Sequence, residues 1–234
     1  MAKVCAIPDT HHPYENVNAI SGLYAAIEAE HKIKPFDYIL QMGDARDMYS
    51  FSKFPRSYNL YTPKQEIEIA TDKLEVFWKT IHKICPAAKL IQIQGNHEER
   101  LPKRILERLP EAESLFNIKD LFCFAHVDTI FDGDVIIDDV IYFHGYITRQ
   151  YGHLRHFLRS CVFGHTHQAW ILFEKIDALT IGRTPHKNGL LFEFSCGFLG
   201  DDKLLPLQYT VSKKNKWSTG FGIIEDGVPR FIPL

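Results

Sequence analysis

The chain has 234 residues, 45% of them hydrophobic, and a formal charge of −2. That length suits a single domain over residues 1–234 with a substantial core, and the near-neutral balance excludes a global pull toward nucleic acid, leaving only local patches. Five scattered cysteines (Cys5, Cys85, Cys123, Cys161, Cys196) without a C-x-x-C pair exclude a zinc ribbon and a disulfide frame, and no apolar run approaches transmembrane length or reads as a leader, so a cytoplasmic protein with no membrane partner is expected.

Val4-Cys5-Ala6-Ile7 is a short continuous apolar run, as in a strand buried on both faces, and the loop Asp9-Thr10-His11-His12-Pro13 follows it. Asn16 to Ile33 carries Val17, Ile20, Leu23, Tyr24 and Ile27 at helical spacing. A second strand, Tyr38 to Met42, leaves through Gly43-Asp44-Ala45-Arg46-Asp47, and residues 48–61 are dense in aromatics without a clean period. Thr62-Pro63-Lys64-Gln65 opens a helix with an N-cap, a proline in the first turn and a capping box, and its apolar stripe runs from Ile67 to Ile81. The third strand, Leu90 to Gln94, exits through Gly95-Asn96-His97-Glu98. Residues 99–116 read as short helices, and 117–131 give no assignable pattern.

The second half is richer in strands. Val135 to Ile137 and Val140 to Phe143 flank Asp138-Asp139 as a hairpin, and the second strand ends at His144-Gly145. Arg149 to Ser160 reads as a helix; Cys161-Val162-Phe163 then ends in Gly164-His165-Thr166-His167. Further strands are expected at 169–173, 190–194, 208–211, and at 221–224 paired with 228–232 across Asp226-Gly227.

The recurring unit is an apolar strand followed by a loop that starts with Asp, His or Asn beside glycine. Loops at the carboxyl ends of strands in α/β sheets converge, which is where such sheets bind ligands. Five of them carry Asp9, His11, Asp44, Asn96, His144, His165 and His167. Seven N/O donors exceed what one tetrahedral ion takes, and suit two cations sharing a carboxylate and a bridging hydroxide. Imidazole, carboxylate and amide donors without thiolate favour manganese, with iron, zinc or nickel as alternatives, over calcium.

Asp9-x-His11, Gly43-Asp44, Gly95-Asn96-His97-Glu98, His144-Gly145 and Gly164-His165-x-His167 resemble, in order and spacing, the five signature blocks of the calcineurin-like metallophosphoesterases. The resemblance implies an α/β fold of four layers, αββα, in which a two-sheet β-sandwich is flanked by helices. It implies a dinuclear site with Asp9, His11 and His167 on one metal, Asn96, His144 and His165 on the other, and Asp44 bridging. His97 matches the family histidine near the scissile phosphate, a candidate general acid. Gln94 stands where the phosphoprotein phosphatases carry arginine, and Met48 follows Asp47, so the chain looks more like the compact bacterial and phage members.

Around these blocks, His12 is read as structural, Asp47 as either a cap or an orienting partner, and Glu98 as a hydrogen-bonding support. His31, His82, His126 and His186, and the Lys213-Lys214-Asn215-Lys216 run, are read as structural or surface features. Residues 46–61 hold Arg46, Lys53 and Arg56 among aromatics, and 146–159 hold Arg149, Arg155 and Arg159 with no acid. Cations beside rings are what a nucleotide or single strand needs, so Arg149 and Arg155 are expected to contact a nucleotide or nucleic-acid substrate. Residues 98–111 have mixed charge and are expected to contribute nothing. The expected activity is phosphoester hydrolysis of the phosphodiesterase or nuclease type, with a phosphomonoesterase as the alternative and a catalytically silent binding module as the remote one.

Overall fold

The computed structural model describes residues 1–53, 60–111, 118–175, 190–204 and 217–234. Phe54, Arg56, Tyr58, His186, the strand expected at 208–211 and the Lys213–Lys216 run lie outside the described residues.

Two sheets stack face to face between helices. The first has the order β11-β10-β1-β2-β3-β4, built from β1 (Lys3–Ile7), β2 (Tyr38–Gln41), β3 (Lys89–Ile93), β4 (Val127–Ile130), β10 (Gly220–Glu225) and β11 (Val228–Pro233). The second has the order β5-β6-β7-β9-β8, from β5 (Val135–Ile137), β6 (Val140–Phe143), β7 (Cys161–Phe163), β8 (Ala169–Lys175) and β9 (Leu190–Cys196). β1, β2, β3 and β4 run parallel, as do β6, β7 and β9. Parallel pairing is what brings consecutive loops to one edge.

Strand alternation sorts side chains into separate cores. Cys5, Ile7, Ile39 and Leu90 face outward onto Leu23 and Ile27 of α1 (Val17–Ile33) and Leu74, Phe77 and Trp78 of α2 (Pro63–Ile84). Val4, Ala6, Leu40 and Ile91 face inward and meet Tyr142, Val162, Phe192 and Phe194 of the second sheet. Ile141, Phe143, Cys161 and Phe163 form a third core beneath Phe157 of α4 (Gly152–Phe157). The order helix, sheet, sheet, helix is the expected αββα arrangement.

Local chemistry explains the element ends. Thr62 and Gln65 form the capping box that their spacing predicts. Asn16 accepts from the backbone N–H groups of Asn18 and Ala19, so α1 begins one residue later than periodicity suggests. Asp138-Asp139 and Asp226-Gly227 both have two consecutive positive φ angles, as tight hairpin turns between right-twisted strands require.

One expectation needs correction, and one unassigned stretch takes form. The helix expected over 149–160 is only Gly152–Phe157, because Tyr151 and Leu158 take left-handed conformations at its ends. Its first-turn amides are satisfied by the buried Glu193 of β9, which accepts from the N–H groups of Tyr151, His153 and Leu154. The unassigned stretch 117–131 supplies a 3-10 turn at Ile118–Phe122 and the edge strand β4. Val127-Asp128-Thr129-Ile130 is too short and mixed to read as a strand until β3 offers it a partner.

His153 ties the loop after β6 in place. It is fully buried, and its Nε2 accepts from the N–H groups of Tyr146 and Ile147. Burial, reinforced by His165 and His156, pushes its pKa down to about 4. A depressed histidine is neutral in the fold while the unfolded chain takes up a proton near pH 6.5. Its contribution is therefore complete above about pH 6.5 and is lost as pH falls toward 4. Urea unfolding between pH 7 and 4 should show a shallower decline for His153→Gln than for the native chain, by up to about 1.4 kcal/mol per pH unit. Identical slopes would remove this role.

Candidate metal centre

Loops leaving β1, β2, β3, β6 and β7 meet at one edge of the sandwich. Backbone hydrogen bonds stitch them together: His11 N–H donates to the Asp44 carbonyl, Asp47 N–H to the His12 carbonyl, and Gly164 N–H to the His144 carbonyl. His11, Asp44, His165 and His167 all have positive φ, between 50° and 64°, a conformation that costs a side-chain-bearing residue free energy and that clusters at functional sites. The glycines mark where loops touch. A Cβ on Gly95 would lie 2.2 Å from the Asp44 backbone nitrogen, and one on Gly43 would lie 2.6 Å from the His144 ring.

All seven side chains named from the sequence converge here. His11 Nε2 and His167 Nε2 are 3.2 Å apart, and together with Asp9 they place ligand atoms within 4.8 Å of one another. On the other side, Asn96 Oδ1 is 2.9 Å from His144 Nε2 and 3.0 Å from His165 Nδ1, and those two nitrogens are 3.2 Å apart. Asp44 stands between, with Oδ2 3.3 Å from His144 Nε2. Its Oδ1 accepts the His97 backbone N–H at 2.9 Å.

The donor set fits divalent cations. His11 Nδ1 donates to Asp47 Oδ2 at 2.9 Å and His144 Nδ1 donates to the Met42 carbonyl at 3.0 Å, so both rings turn Nε2 into the cluster, where a cation would take the place of a proton. Ring nitrogens facing one another and facing carboxyl oxygens repel unless a proton or a cation lies among them. Two nitrogens on one tetrahedral ion, each at ~2.0–2.1 Å, stand ~3.3 Å apart, close to the spacing of both imidazole pairs.

Electrostatics makes the same demand. Burial disfavours a charged His144, yet Asp44, Asp9 and the Met42 carbonyl overcome it and raise its pKa to about 10. Burial also opposes ionisation of Asp44, but His144, His97 and His11 hold its carboxyl well below the usual range. Asp9 is pushed up to about 7 by burial and by Asp44, against the pull of His144 and His11. A buried cluster that retains carboxylate charge and raises an imidazole's proton affinity is one that calls for cations.

The supporting residues sort themselves. Asp47 is an orienting partner: it holds His11, lies 3.5 Å from His97 Nδ1, and meets Arg100. His12 is structural; buried, it donates from Nδ1 to the Ala45 carbonyl, and burial drives its pKa down to about 3. Glu98 accepts from the backbone N–H groups of Asp44, Arg46 and Gly95. His31 accepts the Phe36 N–H and stacks on that ring, while His82 and His126 stack on each other away from the cluster.

His97 lies inside the cluster, with Nε2 3.6 Å from Asp44 Oδ2. Arg100 donates from Nη2 to that same Nε2 at 2.7 Å and from Nη1 to the Asp47 carbonyl at 2.8 Å. Sequence reasoning missed this arginine, although its spacing of three from His97 within one helical turn was a usable signal. Phe198 was missed too. It stacks on His167 with centroids 4.3 Å apart, and Trp217 meets the same ring edge-on. Cys196-Gly197-Phe198 repeats the strand–glycine exit with an apolar residue in place of a ligand.

The cationic loops are not as their local charge suggested. Arg46 is buried, with its guanidinium over Phe122 and Phe124. Arg155 pairs with Glu174 through two nitrogens and Arg159 pairs with Asp139, so the stretch that lacks acids borrows them from β8 and from the turn between β5 and β6. Among the described residues Arg149 makes no ion pair. Tyr49 and Tyr61 pack on Tyr14, as core aromatics do.

No family model and no curated protein matches the chain. Two solved structures are similar at 11% identity: one crystal structure covers 99% of this chain and 98% of its own with a TM-score of 0.46, and the Pseudomonas putida nuclease MPE covers 99% and 86% with a TM-score of 0.39. Among the described residues no helix is long and apolar enough to cross a membrane.

Proposed function

We propose that this chain is a metal-dependent phosphoesterase of the calcineurin-like kind, binding two divalent cations, manganese first among them, and hydrolysing phosphoesters of nucleotides or nucleic acid. The observation that carries the reading is the pair of donor groups meeting at Asp44: Asp9, His11 and His167 on one side, Asn96, His144 and His165 on the other. Cations held there would supply a water-derived nucleophile at neutral pH and neutralise the phosphoryl oxygens.

The chain's own groups supply the rest. Asn96 is exposed at the mouth of the cluster, where its amide can contact a phosphoryl oxygen. Arg100 presents a planar fork beside it, suited to the same group. While Arg100 donates to His97 Nε2, that nitrogen is an acceptor and holds no proton. A phosphoryl oxygen would draw the guanidinium away and leave the Nε2 lone pair free to take a proton from solvent, which it would then pass to the leaving oxygen. His97 therefore acts as general acid only after substrate has engaged Arg100.

Hydrolysis of bis-p-nitrophenyl phosphate and p-nitrophenyl phosphate, after chelation and after Mn²⁺ is restored, tests the proposal. Turnover should appear with the metal and be faster on the diester. A faster monoester reaction would make the chain a phosphomonoesterase, and no turnover with two ions bound would make it a binding module. His97→Ala should keep both ions and lose about 10²–10⁴-fold in rate on a ribose or alkyl leaving group, with a smaller loss on nitrophenolate, which departs without an acid. Equal losses on both would end the general-acid role, and loss of an ion would recast His97 as a ligand.

A further inference from the structure

Beside the cluster runs a groove of ≈ 220 Å³ between the 3-10 turn Tyr49–Phe51 and α3 (Arg100–Arg108). It begins at Asn96 and continues along the face of α3 that carries Arg100, Lys103, Arg104 and Glu107. These positions follow the i, i+3, i+4, i+7 pattern that gathers side chains on one side of a helix. Phe51 and Lys53 form the opposite wall. Four cations and one carboxylate line it, with Lys103 also paired to Glu99 and Arg100 to Asp47. The mixed charge of residues 98–111 in sequence hides this, because the helix segregates what the sequence interleaves.

We propose that this groove is a second phosphate subsite, holding the strand of a single-stranded nucleic acid next to the phosphate at the metal cluster. The inference rests on the phosphoesterase reading and deepens it by naming the substrate as a chain of phosphates. Arg100 and Arg104 stand one turn apart, ~6 Å along the helix axis, so they grip different phosphates of a strand rather than two oxygens of one. Arg104 is braced for this by donating to the Ser52 carbonyl at 3.3 Å, which ties α3 to the opposite wall. Lys103 pairs on its open side with Glu99 in the preceding turn, a solvent-exposed contact that a phosphate can displace. The half-buried Phe51 ring sits where a base flanking those phosphates can stack. A monoester needs none of this beyond Arg100.

The test separates binding from hydrolysis. Fluorescence anisotropy of a labelled single-stranded octanucleotide, in EDTA and across a salt series, reads the groove without any turnover. The double variant Lys103→Ala/Arg104→Ala should bind about tenfold more weakly, and its log–log salt slope should fall by about 1.4, two contacts at about 0.7 each on single strands. Arg104→Lys should recover part of the affinity while leaving the brace to Ser52 weakened. With Mn²⁺, the double variant should raise KM for the octanucleotide and leave kcat/KM for bis-p-nitrophenyl phosphate unchanged. Unchanged octanucleotide affinity and slope would overturn the subsite. Competition by inorganic triphosphate as strong as by the octanucleotide would replace the strand by a polyphosphate nucleotide. Native protein that binds the octanucleotide but hydrolyses neither substrate with metal bound would sink the phosphoesterase reading while leaving the groove standing.

Discussion

Replacing Asp44 by Asn should leave a folded protein with about one bound metal equivalent or none, and turnover lower by more than about a thousandfold, the scale of losing a dominant electrostatic contact. Asn preserves the shape of Asp44 and keeps an Oδ1 to accept the His97 N–H, so the loops around it have no reason to move. What it removes is the negative charge between the two donor groups. That charge is a principal reason His144 is driven toward pH 10 once burial is overcome, and without it His144 reverts toward the ordinary imidazole range. The same change relieves Asp9, whose carboxyl is raised to about 7 by burial and then by Asp44. In EDTA at neutral pH the variant should still melt lower than the native chain, because the fold holds Asp44 ionised and His144 protonated through each other and both gains are lost together. With Mn²⁺ the gap should widen, since the native chain gains more stability from binding cations. Elemental analysis with paired melting curves gives the answer. A variant that retains two ions and full activity would show that Asp44 does not bridge them.

Glu98→Ala should be the most destabilising single change near the site, by about 3–5 kcal/mol in EDTA. Glu98 is fully buried, and its two oxygens accept three backbone N–H groups, those of Asp44, Gly95 and Arg46, at 3.1, 2.9 and 2.7 Å. It thus joins the loop after β2 to the loop after β3, where Asp44 and Asn96 reside. Truncation strands three donors away from water at once. Glu98→Gln keeps the shape but turns an amide NH₂ against donors, and should cost less, about 1–3 kcal/mol. Urea unfolding in EDTA measures the fold alone, and metal titration then measures the site. A Glu98→Ala protein of native stability that fails to bind metal would mean that Glu98 is a ligand rather than a tie.

Much of this molecule is legible in its residues because the governing interactions are local. Continuous apolar runs, the Thr62–Gln65 cap and the Asp138-Asp139 and Asp226-Gly227 turns act over a few positions, and each folds as its chemistry predicts. The ligand-type residues are legible for a related reason: strand exits in a parallel sheet share an edge, so Asp, His and Asn beside glycine at five exits must meet. Pairing through space is decided otherwise. Arg155 finds Glu174 and Arg159 finds Asp139 about 20 residues away, while Lys103 and Arg104 gather with Arg100 on one helix face, so neither the neutral stretch nor the cationic groove follows from counting charges along the chain. Asp47 reaching His11, Arg100 capping His97 and Phe198 stacking beneath His167 depend likewise on the docking of separate loops. A charge or a lone pair acts over a few ångströms in any direction, and only the packed sheets determine which groups come within that range.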